Sequence, residues 1–165
     1  MTPVPEARVW DALSRVMDPE IPCVSVVDLG MIREVAVEAR GARVVVLPTF
    51  TGCPAVAMIE EDIRRALADL DGIGAVAVEL SFSPPWTTER ITAAGRSKLR
   101  EFGVAPPHGS DGPAPLHAIG MRASATCPFC GSSDTRREGM FGPTPCRAVY
   151  YCRACRNPFE QFKTV

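Results

Sequence analysis

The amino-acid sequence predicts an α+β protein in which a small two-layer domain is followed by a Cys₄ zinc-ribbon β domain. Segments with helical and strand periodicity alternate over residues 1–103 in the order αββαβα. Residues 104–125 are rich in Pro, Gly and Ala and are predicted to form a linker. Residues 126–165 contain two Cys-x-x-Cys pairs, which predict a metal-held ribbon. With 46% hydrophobic and 22% charged residues, the chain can bury an ordinary core.

The first predicted elements are a helix and a hairpin. A helix is expected over residues 5–17, where apolar side chains recur at helical spacing. The Asp-Pro-Glu-Ile-Pro segment at residues 18–22 ends it, because prolines cannot continue a helix. Strands are expected over residues 32–38 and 43–48, and Gly41 marks the hairpin between them.

A second helix, a third strand and a third helix complete the predicted domain. Pro54 suits the first position of the second helix. Its apolar stripe has a period of 3.6 and consists of Val56, Ile59, Ile63, Leu67 and Leu70. Residues 75–82 alternate as a strand, and the last helix is expected over residues 88–102, with Gly103 as its stop.

The two Cys-x-x-Cys pairs predict one tetrahedral metal site. Each pair can direct both sulfur atoms at one ion, and the ligands are Cys127, Cys130, Cys152 and Cys155. Residues 137–141 and 147–151 are expected to pair as the hairpin between them. Zn²⁺ is the predicted metal because nothing else in the tail suggests electron transfer, although iron in a rubredoxin-like site has the same spacing. Folding of so short a ribbon should require the metal.

Three further cysteines lie outside the four-cysteine set. Cys53 follows a buried strand at or next to the N-cap of the long helix, where backbone N–H groups and the helix dipole favour a thiolate. It is therefore the candidate site for a soft metal, and the alternative is a turn residue retained for its size. Cys23 lies in an apolar stretch and is expected in the core. Cys146 is expected at the far end of the hairpin, either buried or as an exposed thiol that meets a second metal or a partner.

Other polar candidates are weaker. Asp18 and Glu20 could support a metal near Cys53 as outer carboxylates, but an acidic cap on the end of the first helix explains them equally well. His108 and His117 lie in the predicted linker without a second motif to orient them. A Cys/His nucleophile pair is therefore disfavoured.

Net charge and composition limit the possible partners. The formal net charge of −1 gives no general attraction to nucleic acid or membrane. From Thr126 onward the sequence contains six basic and three acidic residues. This excess of positive charge raises the alternative of a ribbon that binds nucleic acid. Part of that charge should offset the dianionic four-thiolate site, so this alternative is disfavoured. With seven cysteines and no membrane-length apolar run, the chain is expected to be cytoplasmic.

Four motifs resemble the SufT-like family of iron–sulfur assembly factors. In order along residues 4–102, they are Asp18-Pro19-Glu20-Ile21-Pro22, Asp28-Leu29-Gly30, Thr51-Gly52-Cys53-Pro54 and Ser83-Pro84-Pro85-Trp86. The resemblance implies a compact α/β domain in which Cys53 takes part in iron–sulfur delivery, with the Asp-Pro-Glu segment close by. Many members are dimers, so a homodimer is implied. Cys23 departs from the family, which usually has an aliphatic residue there.

The ribbon carries a second resemblance. The segment Phe141-Gly142-Pro143-Thr144-Pro145-Cys146-Arg147-Ala148 is similar to the C-terminal ribbon of the D-subunit family of bacterial phenylacetyl-CoA epoxidase, a di-iron monooxygenase with an iron–sulfur reductase. This implies a non-catalytic accessory subunit that assembles or delivers iron or iron–sulfur centres to the oxygenase and reductase subunits. The alternative is a protein that only docks on that complex.

Overall fold

A computed structural model describes residues 4–38, 41–107 and 125–163. The chain divides into two compact units, Met1–Trp86 with Arg90–Gly95 and Thr87–Glu89 with Arg96–Val165. His108, His117 and most of the predicted linker lie outside the described residues. Within the described part, no helix has the length and apolar character needed to cross a membrane.

The first unit has the predicted order of helices and strands. Its elements are α1 (Glu6–Leu13), β1 (Ile32–Glu38), β2 (Gly41–Val46), α2 (Val56–Ala68), β3 (Ala75–Leu80) and the start of α3 (Ala93–Glu101), which a 3₁₀ helix (Thr88–Arg90) precedes. The strands form one sheet in the order β1-β2-β3. β1 and β2 are antiparallel, whereas β2 and β3 are parallel because α2 connects them.

The apolar stripes identified in the sequence form the core of this unit. α1 contacts α2 and β1, and α2 contacts β3. The fully buried side chains include Val9, Leu13, Val44, Ile59, Ile63 and Leu67. Arg43 of β2 forms ion pairs with Glu34 and Glu79 on the neighbouring strands. Because Arg43 and the fully buried Val44 are adjacent in β2, their side chains lie on opposite faces of the sheet, and the face of Arg43 also carries the buried Val45.

Three helix boundaries differ from the sequence prediction. α3 begins at Ala93 rather than at residue 88, because Thr88–Arg90 form a separate 3₁₀ turn. α1 ends at Leu13, and Met17 instead pairs with Ser25 in an isolated β-bridge. α2 begins at Val56 rather than at Pro54, because a turn closed by the Val56 N–H and the Cys53 carbonyl (3.3 Å) precedes it. Gly52, with φ of 92°, allows the chain to enter this turn.

The Asp28-Leu29-Gly30 motif fastens the segment after β3 to the rest of the unit. Trp86 Nε1 donates to the Leu29 carbonyl (2.8 Å), and Arg90 Nε donates to the Gly30 carbonyl (2.8 Å). A Cβ atom on Gly30 would lie 2.1 Å from the Arg90 carbonyl oxygen, so only glycine fits there. Two of the four family motifs therefore have a structural role at this contact.

The second unit contains a four-stranded sheet. Its strands are β4 (Val104–Ala105), β5 (Thr135–Gly139), β6 (Arg147–Cys152) and β7 (Pro158–Phe162), in the order β4-β7-β6-β5. β5 and β6 form the predicted antiparallel hairpin, with a register shift between Arg137 and Gly139. β4, at the start of the segment expected to be a linker, is buried and pairs with Glu160 and Gln161.

The core of this sheet is small and includes metal-site cysteines. The rings of Tyr150 and Phe159 stack with their centroids 5.6 Å apart. The buried cluster consists of Ala105, Ala125, Cys127, Ala148, Tyr150, Cys152 and Phe159, and Cys155 packs against it. So few apolar side chains give limited stability by themselves. The sulfur cluster is thus part of what holds the sheet together.

Candidate metal centre and thiol site

The four ribbon cysteines converge on one point. The Sγ atoms of Cys127, Cys130, Cys152 and Cys155 all lie within 4.8 Å of one another. The distances Cys127–Cys155 and Cys130–Cys152 are both 3.6 Å between sulfur atoms. Zn–S bonds of about 2.3 Å in a tetrahedron place sulfur atoms ~3.8 Å apart, so the arrangement fits Zn²⁺.

The two knuckles share one backbone arrangement. In the first, the Gly131 N–H donates to the Cys127 carbonyl (2.9 Å). Gly131 and Arg156 directly follow the second cysteine of their knuckles, and both have positive φ, 73° and 61°. This turn brings the next N–H groups onto the sulfur atoms: the Ser132 N–H donates to Cys130, and the Asn157 N–H donates to Cys155.

The protein environment shifts the pKa values of the ribbon thiols in different directions. Hydrogen bonds from the Asn157 backbone and side-chain amides lower the pKa of Cys155 to about 6. Burial raises the pKa of Cys127 above its ordinary value. At Cys130 the Ser132 N–H lowers the thiol pKa, but desolvation and the neighbouring sulfur atoms outweigh it and raise it to about 12. Cys155 is thus ionised at neutral pH, whereas a metal must displace protons from Cys127 and Cys130.

Asn157 is a site residue that the sequence prediction did not include. Its Nδ2 lies 3.5 Å from Cys155 Sγ, and its carbonyl accepts from the Cys152 N–H (3.0 Å). The sequence did contain a signal for it. Asn157 lies two residues after Cys155, the position from which the backbone N–H of a knuckle donates to the ligand sulfur. These contacts orient the second knuckle around the metal.

Cys53 lies in the turn between β2 and α2. Its N–H donates to the Phe50 carbonyl (3.2 Å), and its side chain is half-buried. The N-cap of α2 is Ala55, so Cys53 lies two residues before the cap rather than on it. Because β2 and β3 are parallel, their carboxyl ends share one edge of the sheet, and Cys53 follows that edge.

Asp18 has a local structural role, whereas Glu20 contributes its backbone to the same turn. Asp18 is buried, and its Oδ1 accepts from the N–H groups of Glu20 (2.8 Å) and Ile21 (2.9 Å). Such an Asx-type turn fixes the chain after α1. These contacts hold the Asp-Pro-Glu segment in place.

Cys146 and Cys23 are both half-buried. Cys146 Sγ lies 3.2 Å from Thr144 Oγ1, and the Cys146 carbonyl accepts from the Lys163 N–H (2.9 Å). Cys146 directly precedes β6, and Cys152 ends that strand, so Cys146 lies at the opposite end from the metal ligand. Cys23 lies in a turn between the buried Ile21 and Val24, at the margin of the core.

Two family descriptions match different parts of this chain. Residues 6–80 match the family described as iron-sulfur cluster assembly protein. Residues 111–163 match the family described as PaaD zinc beta ribbon domain. The fold and the four-cysteine centre thus define a class of protein: an iron–sulfur assembly domain joined to a zinc ribbon.

One relative spans nearly the whole chain. It is the Escherichia coli K12 protein named as the putative D-subunit of 1,2-phenylacetyl-CoA epoxidase. The two are 39% identical over 158 residues, which are 96% of this chain and 92% of that protein. The chain belongs to the D-subunit family of phenylacetyl-CoA epoxidase, PaaD.

Other relatives correspond to the first unit. The Bacillus subtilis Fe-S protein maturation auxiliary factor YitW is 32% identical over 93 residues, 56% of this chain and 90% of that protein. A domain of unknown function from Bacillus anthracis has a TM-score of 0.53 at 29% identity, covering 57% of this chain and 90% of that one. A conserved hypothetical protein from Thermotoga maritima has a TM-score of 0.52 at 34% identity, and the match covers 60% of this chain and 98% of that one.

Proposed function

We propose that this chain is a non-catalytic accessory subunit of phenylacetyl-CoA epoxidase that assembles or delivers iron or iron–sulfur centres to the oxygenase and reductase subunits. The observation that carries the proposal is the placement of Cys53. A half-buried thiol follows the carboxyl end of β2, in a domain that matches an iron–sulfur assembly family. Ligands of open α/β sheets commonly bind at this edge.

The ligand set around Cys53 favours transfer over permanent storage. Among the described residues, the four ribbon cysteines are the one group of three or more side chains placed to hold a metal. An iron–sulfur cluster ordinarily takes four protein ligands. Cys53 can therefore supply one thiolate to a cluster in transit, and the recipient protein or a second copy of this chain supplies the others.

The ribbon supports this role without taking part in the transfer. Four thiolates complete the coordination of a tetrahedral Zn²⁺ and leave no open position for a substrate. The zinc therefore stabilises the sheet, and the ribbon provides a surface for docking.

The nucleic-acid alternative loses support from the charges on the ribbon. All three acidic residues of the tail lie beside an arginine. The pairs are Arg136–Glu138 (2.6 Å), Arg147–Glu160 (2.5 Å) and Arg153–Asp134 (3.6 Å). Three basic residues remain, which is a thin surface for phosphate contacts.

The test is anaerobic assembly of the iron and iron–sulfur centres in the apo oxygenase and reductase subunits. Wild type is compared with Cys53→Ala and with Cys23→Ala, a matched control that removes another half-buried thiol of the same unit. Iron content and electron paramagnetic resonance of the recipients report the result. We expect Cys53→Ala to reduce assembly to the level without the factor, and Cys23→Ala to retain it. Equal assembly by all three proteins would contradict the proposal.

A purely structural docking role is the second candidate, favoured by the exposed Met140 and Phe141 at the end of the β5–β6 hairpin. It predicts that replacing both with Ser prevents binding to the oxygenase, while Cys53→Ala alters neither binding nor iron content. The two candidates thus differ in the response to Cys53→Ala.

A further inference from the structure

A cleft in the second unit has a distinctive set of charges. It has a volume of about 410 Å³ and lies beside the first metal knuckle, between the later part of α3 and the residues after β4. Its walls include Arg96, Arg100, Pro106, Pro107, Thr126 and Pro128. The described residues of the lining contribute two guanidinium groups and no carboxylate.

The two arginines stand one helical turn apart on α3. Residues at positions i and i+4 of a helix lie on one face, where two like charges disfavour the helix. The fold nevertheless holds Arg96 firmly in place. Its NH1 donates to the Pro107 carbonyl (2.8 Å), and its NH2 donates to the Thr88 carbonyl (2.6 Å).

Hydrogen-bond donors in the cleft exceed the acceptors that the described residues supply to them. An arginine has five N–H donors in a planar fork, and the two carbonyls occupy only part of the Arg96 fork. Arg100 is exposed, and its guanidinium makes no hydrogen bond or ion pair with any described residue. The cleft thus presents one positioned cation and one available cation.

The metal site does not use these cations as direct partners. Cys127, which also lines the cleft, is 1% exposed. Its sulfur accepts from the backbone N–H groups of Phe129 and Cys130, and it faces the other ligands. Neither guanidinium donates to a sulfur atom among the described contacts.

We propose that this cleft binds the phosphate group of a small phosphorylated molecule. Guanidinium forks match phosphate geometry, and their charge of +2 balances the roughly −1.5 to −2 of a phosphate monoester near pH 7. The volume exceeds that of a bare ion, and the three prolines give rigid apolar walls for an attached organic group. The carboxylate of a protein partner would balance only one of the two charges.

The test is a titration of the zinc-loaded full chain at constant ionic strength with AMP, inorganic phosphate and adenosine. Binding is followed by calorimetry and by the NMR signals of the arginine Nε–Hε groups. We expect AMP and phosphate to shift the Arg96 and Arg100 signals, with AMP binding more tightly. Adenosine, which lacks the phosphate, should leave both signals unchanged.

Substitution of one arginine separates a site from general electrostatics. Arg100→Gln should weaken AMP binding about tenfold or more, since it removes charge-assisted hydrogen bonds. Arg137→Gln is the matched control, because it removes the same charge from an exposed position on β5 outside the cleft. Equal AMP affinity of wild type and Arg100→Gln would overturn the proposal. Tighter binding of a Glu-rich peptide than of AMP would also overturn it, in favour of a protein partner.

Discussion

Gly131 and Arg156 occupy equivalent positions in the two metal knuckles, and both have left-handed backbone conformations, with φ of 73° and 61°. Each residue turns the chain so that the next N–H group reaches the preceding cysteine sulfur. Glycine adopts this conformation without strain, whereas a residue with a Cβ atom does so at a cost of about 1–2 kcal/mol. The second knuckle therefore contains local strain that the first one avoids.

The first prediction is that Gly131→Ala and Arg156→Gly change stability in opposite directions. Gly131→Ala should lower the unfolding free energy of the zinc-loaded ribbon by about 1–2 kcal/mol. Arg156→Gly should raise it by up to about 1 kcal/mol, because relief of strain exceeds the added entropy of the unfolded chain. Denaturant unfolding at saturating zinc measures both. Arg153→Gly, at an exposed knuckle position, serves as control and should be destabilising; an equal loss for Arg156→Gly would contradict the prediction.

The second prediction concerns removal of one metal ligand. Cys130→Ser should abolish stoichiometric zinc and expose the amides of β5, β6 and β7 to hydrogen exchange, because the buried cluster of this sheet includes ligand cysteines. The amides of β1 to β3 should stay protected, since their core consists of aliphatic side chains. Exchange measured by mass spectrometry resolves the two sheets. Cys146→Ser should retain zinc, and retention of zinc by Cys130→Ser would refute the assignment.

The third prediction is proton release on zinc binding. At pH 7.5, Cys155 is already a thiolate, since its pKa is about 6, whereas Cys130, with a pKa of about 12, is protonated. The pKa of Cys127 is also raised, so zinc should release at least the two protons of Cys127 and Cys130. Below pH 6, Cys155 is protonated as well, so zinc binding should release a further proton from it. The apparent affinity for zinc should then fall further. Calorimetry in buffers of different ionisation enthalpy counts the protons; release of fewer than two at pH 7.5 would contradict this assignment.

The elements that the sequence predicted best are those defined by local patterns. The stripe on α2 and the Cys-x-x-Cys pairs need only nearby residues to be recognised, and the structure confirms both. β4 and β7 were missed for the opposite reason. β4 has two residues, and it pairs with Glu160 and Gln161 in a distant part of the chain. Pairing of this kind leaves no periodic signal in the sequence.

The role of motif residues was harder to predict than their position. Gly30 and Trp86 belong to motifs that resemble an assembly family, yet both act in packing, through Arg90 and the Leu29 carbonyl. A motif shows that residues recur together, and it does not separate a ligand from a support. The start of α2 illustrates the same limit, because Pro54 is compatible with a turn as well as with a helix.

The fourth prediction contrasts two glycines of the first unit. Gly30 has φ of 63°, and its added Cβ would collide with the Arg90 carbonyl. Gly52, beside Cys53, has φ of 92° and no atom within 4 Å of an added Cβ. Gly30→Ala should therefore cost about 3 kcal/mol or more, and Gly52→Ala only about 1–2 kcal/mol. Thermal unfolding checks the order, and a larger loss for Gly52→Ala than for Gly30→Ala would contradict it.

The fifth prediction separates a structural Asp18 from one that acts on a metal. Asp18→Ala leaves the Glu20 N–H without its acceptor, whereas the Ile21 N–H keeps only its longer bond to the Asp18 carbonyl (3.3 Å). The substitution should therefore lower the unfolding free energy by about 1–2 kcal/mol. Asp18→Asn keeps the Oδ1 acceptor and should lower the unfolding free energy by about half as much. Because the role is positional, iron–sulfur transfer measured well below the unfolding temperature should be close to wild type for Asp18→Asn. If Asp18→Asn folds stably but loses transfer, the carboxylate charge itself takes part in handling the metal.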